Sequence, residues 1–233
     1  MIRSQYLFLL IPICIVLNSC SGGIDSKAEW KVYSESKVRN DYSTAVGALN
    51  RILSVEANNA MAYDSLAILY SRAGLDRSAA ITAEQGLKLH ETETLVQILA
   101  ISNKNLGNPK KSLNAYLRLM EMRPGDLVTP YEIAFAYINI EQLDQAQKYI
   151  DLVIEHDQSA TTSMTEFVND LRQQVPFKAV ALNMRGFVRM QTGAHQKAAE
   201  AYQEALNVFP DYQLALNNLR YLAAQAAETS GKE

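Results

Sequence analysis

Three histidines, two cysteines and a scatter of carboxylates are the residues of this 233-residue chain whose types carry chemistry. His90 and Glu91 begin a pattern that, in zinc-binding helices, places a second histidine one turn later so that both imidazoles face one ion. Thr94 stands at that place, so the second ligand is missing. His90, His156 and His195 all fall beside helix ends, where polar residues ordinarily finish a helix. Glu141, Asp144, Glu155 and Asp157 are dispersed along one helical hairpin, as on a solvated face rather than in a paired acid and base. Gly74, Gly107 and Gly193 lack the lysine followed by serine or threonine that a phosphate loop requires, and read as turn glycines. Serine-hydrolase spacing is absent. The expectation is a non-enzyme with no metal, no cofactor and no small-molecule substrate.

The elements that must position any other functional group repeat along the chain. Ala67, Ala100 and Ala134 recur at intervals of 33 and 34 residues, each inside a similar helical pattern. Around Ala67 stand Tyr63, Leu66, Tyr70, Gly74, Ala79, Ala83 and Gly86. Later units carry Leu99, Gly107, Tyr116 and Pro124, then Ile133, Tyr137 and Ala146, and finally Leu182, Gly186, Gly193, Ala198, Tyr202, Ala205 and Pro210. This phased set of small residues and aromatics resembles the tetratricopeptide repeat (TPR), in which small residues sit where two antiparallel helices cross. The resemblance implies an all-α fold, a right-handed α-solenoid over 26–229 with repeats at 26–59, 60–92, 93–126, 127–160 and 179–212. A unit of this size buries no adequate core alone, so neighbouring units must stack.

Local signals place the helix starts. Ser26 with Glu29, and Thr129 with Glu132, have capping-box spacing, and Asn108 before Pro109 reads as a cap and first helical residue. The period slips once: the fifth repeat begins 52 residues after the fourth (179 minus 127), 18 more than a 34-residue unit. Within the extra segment, Met164, Phe167, Val168, Leu171 and Val175 fall at helical spacing behind a Ser163–Glu166 capping box. This predicts an amphipathic helix at about 164–175, closed by Pro176. Leu214, Leu216, Leu219 and Leu222 predict a C-terminal capping helix at about 211–228, followed by a tail at 230–233.

The start of the chain is of another kind. Arg3 precedes an apolar run from residue 6 to residue 17, shorter than the ~20 residues a membrane-spanning helix needs. Leu17, Asn18, Ser19 and Cys20 resemble the lipobox of bacterial lipoproteins. That resemblance implies a signal peptide at 1–19, a covalent lipid on Cys20 including palmitate, and a tether at 20–25. Ser21, rather than aspartate, after the cysteine implies an outer-membrane protein facing the periplasm. With Cys14 removed, one cysteine would remain, and no internal disulfide is expected. The body is mildly acidic, with 22 Lys plus Arg against 25 Asp plus Glu, and has no basic stripe for a phosphate backbone, so nucleic acid is not an expected partner.

The TPR resemblance also locates a binding face, because the first helix of each repeat lines the concave groove in that family. Matching positions here are Asp64, Ile68, Ser71 and Arg72; Gln97, Ile101, Lys104 and Asn105; Val128, Tyr131, Phe135, Ile138 and Asn139; and Val180, Asn183, Phe187, Met190 and Gln191. Tyr131, Phe135, Phe187 and Met190 would anchor a helix or an extended peptide, and Gln97, Asn105, Asn139 and Asn183 would bond its backbone. The resulting expectation is a membrane-anchored scaffold that holds a protein or peptide in the periplasm, in assembly of an envelope complex. The alternative is an accessory cell-wall or glycan-binding module, suggested by Trp30 and twelve tyrosines.

Overall fold

The computed structural model describes residues 23–230, so the signal-peptide and Cys20 expectations lie outside the described residues. Five helix pairs follow one another: α1 (Ser26–Val38) with α2 (Tyr42–Val55), α3 (Ala60–Arg72) with α4 (Asp76–Leu87), α5 (Glu93–Asn105) with α6 (Pro109–Met122), α7 (Val128–Asn139) with α8 (Leu143–Glu155), and α9 (Phe177–Gln191) with α10 (His195–Val208). A last helix, α11 (Gln213–Ser230), packs on α10 and ends the stack. The fold is an α-solenoid. Its apolar side chains form a chain of clusters at successive helix-pair junctions and no single centre, as stacking of small units requires.

All five pairs turn in the same way. After α1, α3, α5, α7 and α9 one residue enters the left-handed region: Asn40 (φ 57°), Gly74 (68°), Gly107 (70°), Glu141 (60°) and Gly193 (77°). The following amide then reaches back five residues, from Asp41 to Ser36, Leu75 to Tyr70, Asn108 to Asn103, Gln142 to Tyr137 and Ala194 to Arg189, at 2.8–3.0 Å. This is the Schellman closure, which satisfies carbonyls left open at a helix end. Glycine adopts that conformation freely, whereas Glu141 must strain to reach it.

Helix starts rest on different residues from those the capping boxes suggested. Asp25, not Ser26, caps α1 by accepting from the Lys27 amide, and Glu29 instead pairs with Arg51 Nε at 2.8 Å. Asp126, not Thr129, supports the start of α7: its carboxylate accepts from the Thr129 amide at 2.8 Å and from the Thr129 hydroxyl. Burial pushes the Asp126 carboxyl up, but the Thr129 and Val128 hydrogen bonds outweigh it and hold it below the usual carboxylate range. In both places an acid one to three residues upstream is nearer the open amides. Pro109 does begin α6, but the Asn108 side chain donates to Asn103 Oδ1 and does not cap.

Where the helices of a pair cross, Ala67, Ala100 and Ala134 are fully buried. Gly186 holds the same place in the fifth repeat, and a Cβ there would lie 2.4 Å from Tyr202 Cε1. Tyr202 is itself fully buried and takes the volume that a side chain at 186 would need.

The extra segment is not the expected helix. It forms an antiparallel β-hairpin, β1 (Ser163–Val168) and β2 (Leu171–Pro176), with Val168 opposite Leu171 and Met164 opposite Val175. Asn169 and Asp170 both take positive φ (48° and 65°), the conformation of the two-residue turn whose twist matches paired strands. The apolar residues that imitated a helical stripe also alternate in burial along β1, with Met164, Glu166 and Val168 turned inward and Thr165 and Phe167 outward. Pairing across the Asn-Asp turn decides between the two periods.

Candidate functional site

Two of the three histidines make structural contacts. His90 Nε2 meets Asp64 Oδ2 at 3.1 Å, tying the loop after α4 to α3. His156 Nε2 donates to the Gly125 carbonyl at 3.0 Å, while its Nδ1 accepts from the Gln158 amide at 3.1 Å, so both ring nitrogens are used in one turn. Among the described residues no three His, Cys, Asp or Glu side chains converge as metal ligands. Trp30 lies half-buried, edge-on to Tyr33 at 5.5 Å, within the first apolar cluster.

By the repeat resemblance the first helices line the inner row, and α3 packs directly against α5. Along that row the expected groove residues divide. On α5, Gln97 accepts from Arg123 Nη2 at 3.0 Å and Asn105 donates to Asp76 Oδ1 at 3.1 Å, so both amides bridge neighbouring helices. On α7, Phe135 is 40% exposed and Asn139 is exposed, with no side-chain hydrogen bond to any described residue. These two, with Lys104, Gly107, Pro109, Ser112, Glu132 and Ala136, line a depression of about 260 Å³ between α5, the start of α6 and α7. Lys104 Nζ and Glu132 Oε1 meet at 2.6 Å on its wall. An apolar ring beside a free amide and a charged pair offers a peptide one anchor and one donor–acceptor group.

Other expected groove residues are closed. Tyr131 stands edge-on to Phe177 at 5.7 Å, and burial pushes its hydroxyl pKa well above the usual tyrosine range. Asn183 is 5% exposed and its Oδ1 accepts from Asn218 of α11 at 2.8 Å. Met190 packs against the cluster of Ala198, Tyr202 and Leu222, and Phe187 is half-buried. Asn183 and Met190 therefore serve the interior rather than a ligand, because α11 lies where the groove would continue.

The hairpin closes this end further, through residues that the periodicity did not single out. Tyr212 Oη donates to Glu166 Oε2 at 2.6 Å. Gln173 spans the start of α11: its Nε2 donates to the Asp211 carbonyl at 2.7 Å and its Oε1 accepts from the Gln213 amide at 3.1 Å. Burial raises the Glu166 pKa, opposed by the Tyr212 hydrogen bond. The one sequence signal for this arrangement was the Asn169–Asp170 pair.

Residues 179–212 match the sequence model of the tetratricopeptide repeat. The chain is a tetratricopeptide-repeat solenoid. Among solved structures it is similar to YrrB, described as a TPR protein with an unusual peptide-binding site. The identity is 21%, the TM-score 0.67, and the match covers 83% of this chain and 91% of that one. It is also similar to MamA (15% identity, TM-score 0.63, covering 81% of this chain and 95% of that one). MamA from Desulfovibrio magneticus RS-1 gives 15% identity and a TM-score of 0.61 over 81% of this chain and 97% of its own. No curated protein sequence matches significantly. At these identities the structures establish the fold, and the TPR architecture is that of a protein–protein interaction scaffold.

Proposed function

We propose that this TPR solenoid is a lipid-anchored scaffold of the bacterial envelope that holds a protein partner by a peptide segment lying over α5 and α7. The observation that carries the reading is the depression at Phe135 and Asn139, the stretch of the inner row where an aromatic side chain and an unbonded amide are left open together. Phe135 fills an apolar pocket on the partner, Asn139 bonds its backbone, and the Lys104–Glu132 pair selects a polar neighbour. The anchor rests on the lipobox-like residues ending at Cys20, with the diacylated thiol holding the body at the periplasmic face of the outer membrane. The scaffold reading is supported by the repeat architecture; the envelope role is the part that the sequence motif alone suggests.

A photo-crosslinking residue placed at 139 tests the site in intact membranes, with the same residue at exposed position 81 on α4 as control. The expected result is a discrete adduct from 139 that is absent from 81 and is lost with Phe135→Ala at unchanged folding. Equal adducts from both positions would remove the groove reading. For the anchor, Cys20→Ser should move the protein from the membrane to the soluble fraction, and persistence in the membrane would refute it.

A further inference from the structure

The hairpin has an edge that the rest of the molecule does not use. Its two-residue turn makes Val168 and Leu171 a hydrogen-bonded pair, and alternation makes Glu166–Gln173 and Met164–Val175 bonded pairs too. Thr165 and Phe167 are then the residues of β1 whose N–H and C=O point away from β2. No other backbone hydrogen bond among the described residues reaches either of them. A cleft of about 480 Å³ runs at this place, lined by residues 164–169 together with Tyr131 and Leu214. A cleft on one face of the hairpin would take alternate residues; six in succession, with none from β2, mark a cleft along the free edge. Phe167, 72% exposed, overhangs it. Glu166 contributes a carboxylate to its wall, and no described cation pairs with that group.

We propose that the free edge of β1 is a second docking site, which takes an extended peptide as a third strand with a basic side chain directed at Glu166. The backbone of Thr165 and Phe167 supplies the ladder, as in strand addition to an exposed sheet edge. Tyr131 and Leu214 floor the cleft with apolar surface, and the unpaired carboxylate selects lysine or arginine at one inward position. This site is separate from the depression at Phe135 and does not depend on it.

The test uses the full chain and a fluorescent synthetic peptide of about eight residues, alternating threonine and valine around a central lysine. Saturable binding is expected, weakened about tenfold by N-methylation of the backbone amides that face the strand. Thr165→Pro should have a similar effect, because it deletes an outward N–H while leaving the bonded pairs of the hairpin intact, as amide protection at Val168 and Leu171 would verify. Replacing the lysine with norleucine should weaken binding several-fold in the native chain and not in Glu166→Gln, which keeps an acceptor for Tyr212. Phe135→Ala should leave all of this unchanged. No saturation at millimolar peptide overturns the proposal, and so does indifference to both Thr165→Pro and backbone methylation. Concentration-dependent protection of the Thr165 and Phe167 amides without peptide would make a second copy the occupant and equally overturn it.

Discussion

Two stretches of the inner row differ in which of their expected groove residues they leave open. Over α5 and α7, Phe135 and Asn139 stay open around a depression, while over α9, Asn183 is buried against α11 and Met190 is packed among Ala198, Tyr202 and Leu222. Repeat register says which side of a helix a residue occupies. Whether that side meets solvent depends on what the chain places opposite it, and here the hairpin and α11 lie against α9 and the start of α7 but do not line the depression at Phe135 and Asn139. Register alone therefore does not say which groove residues are open: Phe135 and Asn139 are, while Gln97, Asn105 and Asn183 are bonded within the chain.

The sharpest way to break this contrast is at the helix crossing of the closed end. Gly186→Ala puts a methyl group into the Tyr202 ring, and the overpacking should cost about 1–3 kcal/mol despite alanine's better helix propensity. Urea denaturation measures it, and a native-like midpoint would mean that Tyr202 can swing aside. Next comes the amide pair: Asn183→Ala should cost about 1–2 kcal/mol because it strands the Asn218 donor, whereas Asn139→Ala should change stability by less than about 0.5 kcal/mol. Equal losses would erase the distinction between closed and open stretches.

Glu141→Gly tests the turns, which differ along the chain in the residue asked to adopt positive φ. It should gain about 1 kcal/mol by relieving left-handed strain, and the same change at a residue with negative φ should not.

The smallest expected effect is a pH dependence at the hairpin. Burial raises the Glu166 pKa above its ordinary value of 4.5, so the folded state holds this proton more tightly than the unfolded chain does. Its favourable contribution is complete below 4.5 and disappears as pH rises through the folded pKa. Glu166→Gln should remove that decline, so that the variant gains on the native protein between acidic and neutral pH in matched denaturation series. A constant difference across the series would place Glu166 in a wetter setting than its Tyr212 bond indicates.

Much of the array was legible from residues alone because its causes are local. The five helix pairs follow from phased small residues, and three of the five turns were marked by Gly74, Gly107 and Gly193, which release the backbone where a Schellman closure needs it. The capping boxes misled because a cap is chosen by proximity: Asp25 and Asp126 lie closer to the open amides than Ser26 and Thr129 do. The hairpin was misread because Met164, Phe167, Val168, Leu171 and Val175 satisfy a helical period while the same segment also alternates, and short apolar patterns do not choose between the two.

By itself the sequence determined the repeat, its crossing points and the one place where the period slips, since these depend on side-chain size and backbone freedom within about 34 residues. The tertiary structure alone decided what the slip is for. Glu166 reaches Tyr212 across 46 positions and Gln173 reaches Gln213 across 40, contacts that no local pattern records. Those contacts seat the hairpin against the start of α11, close one end of the inner row, and leave the outer edge of β1 with unbonded amides beside a carboxylate.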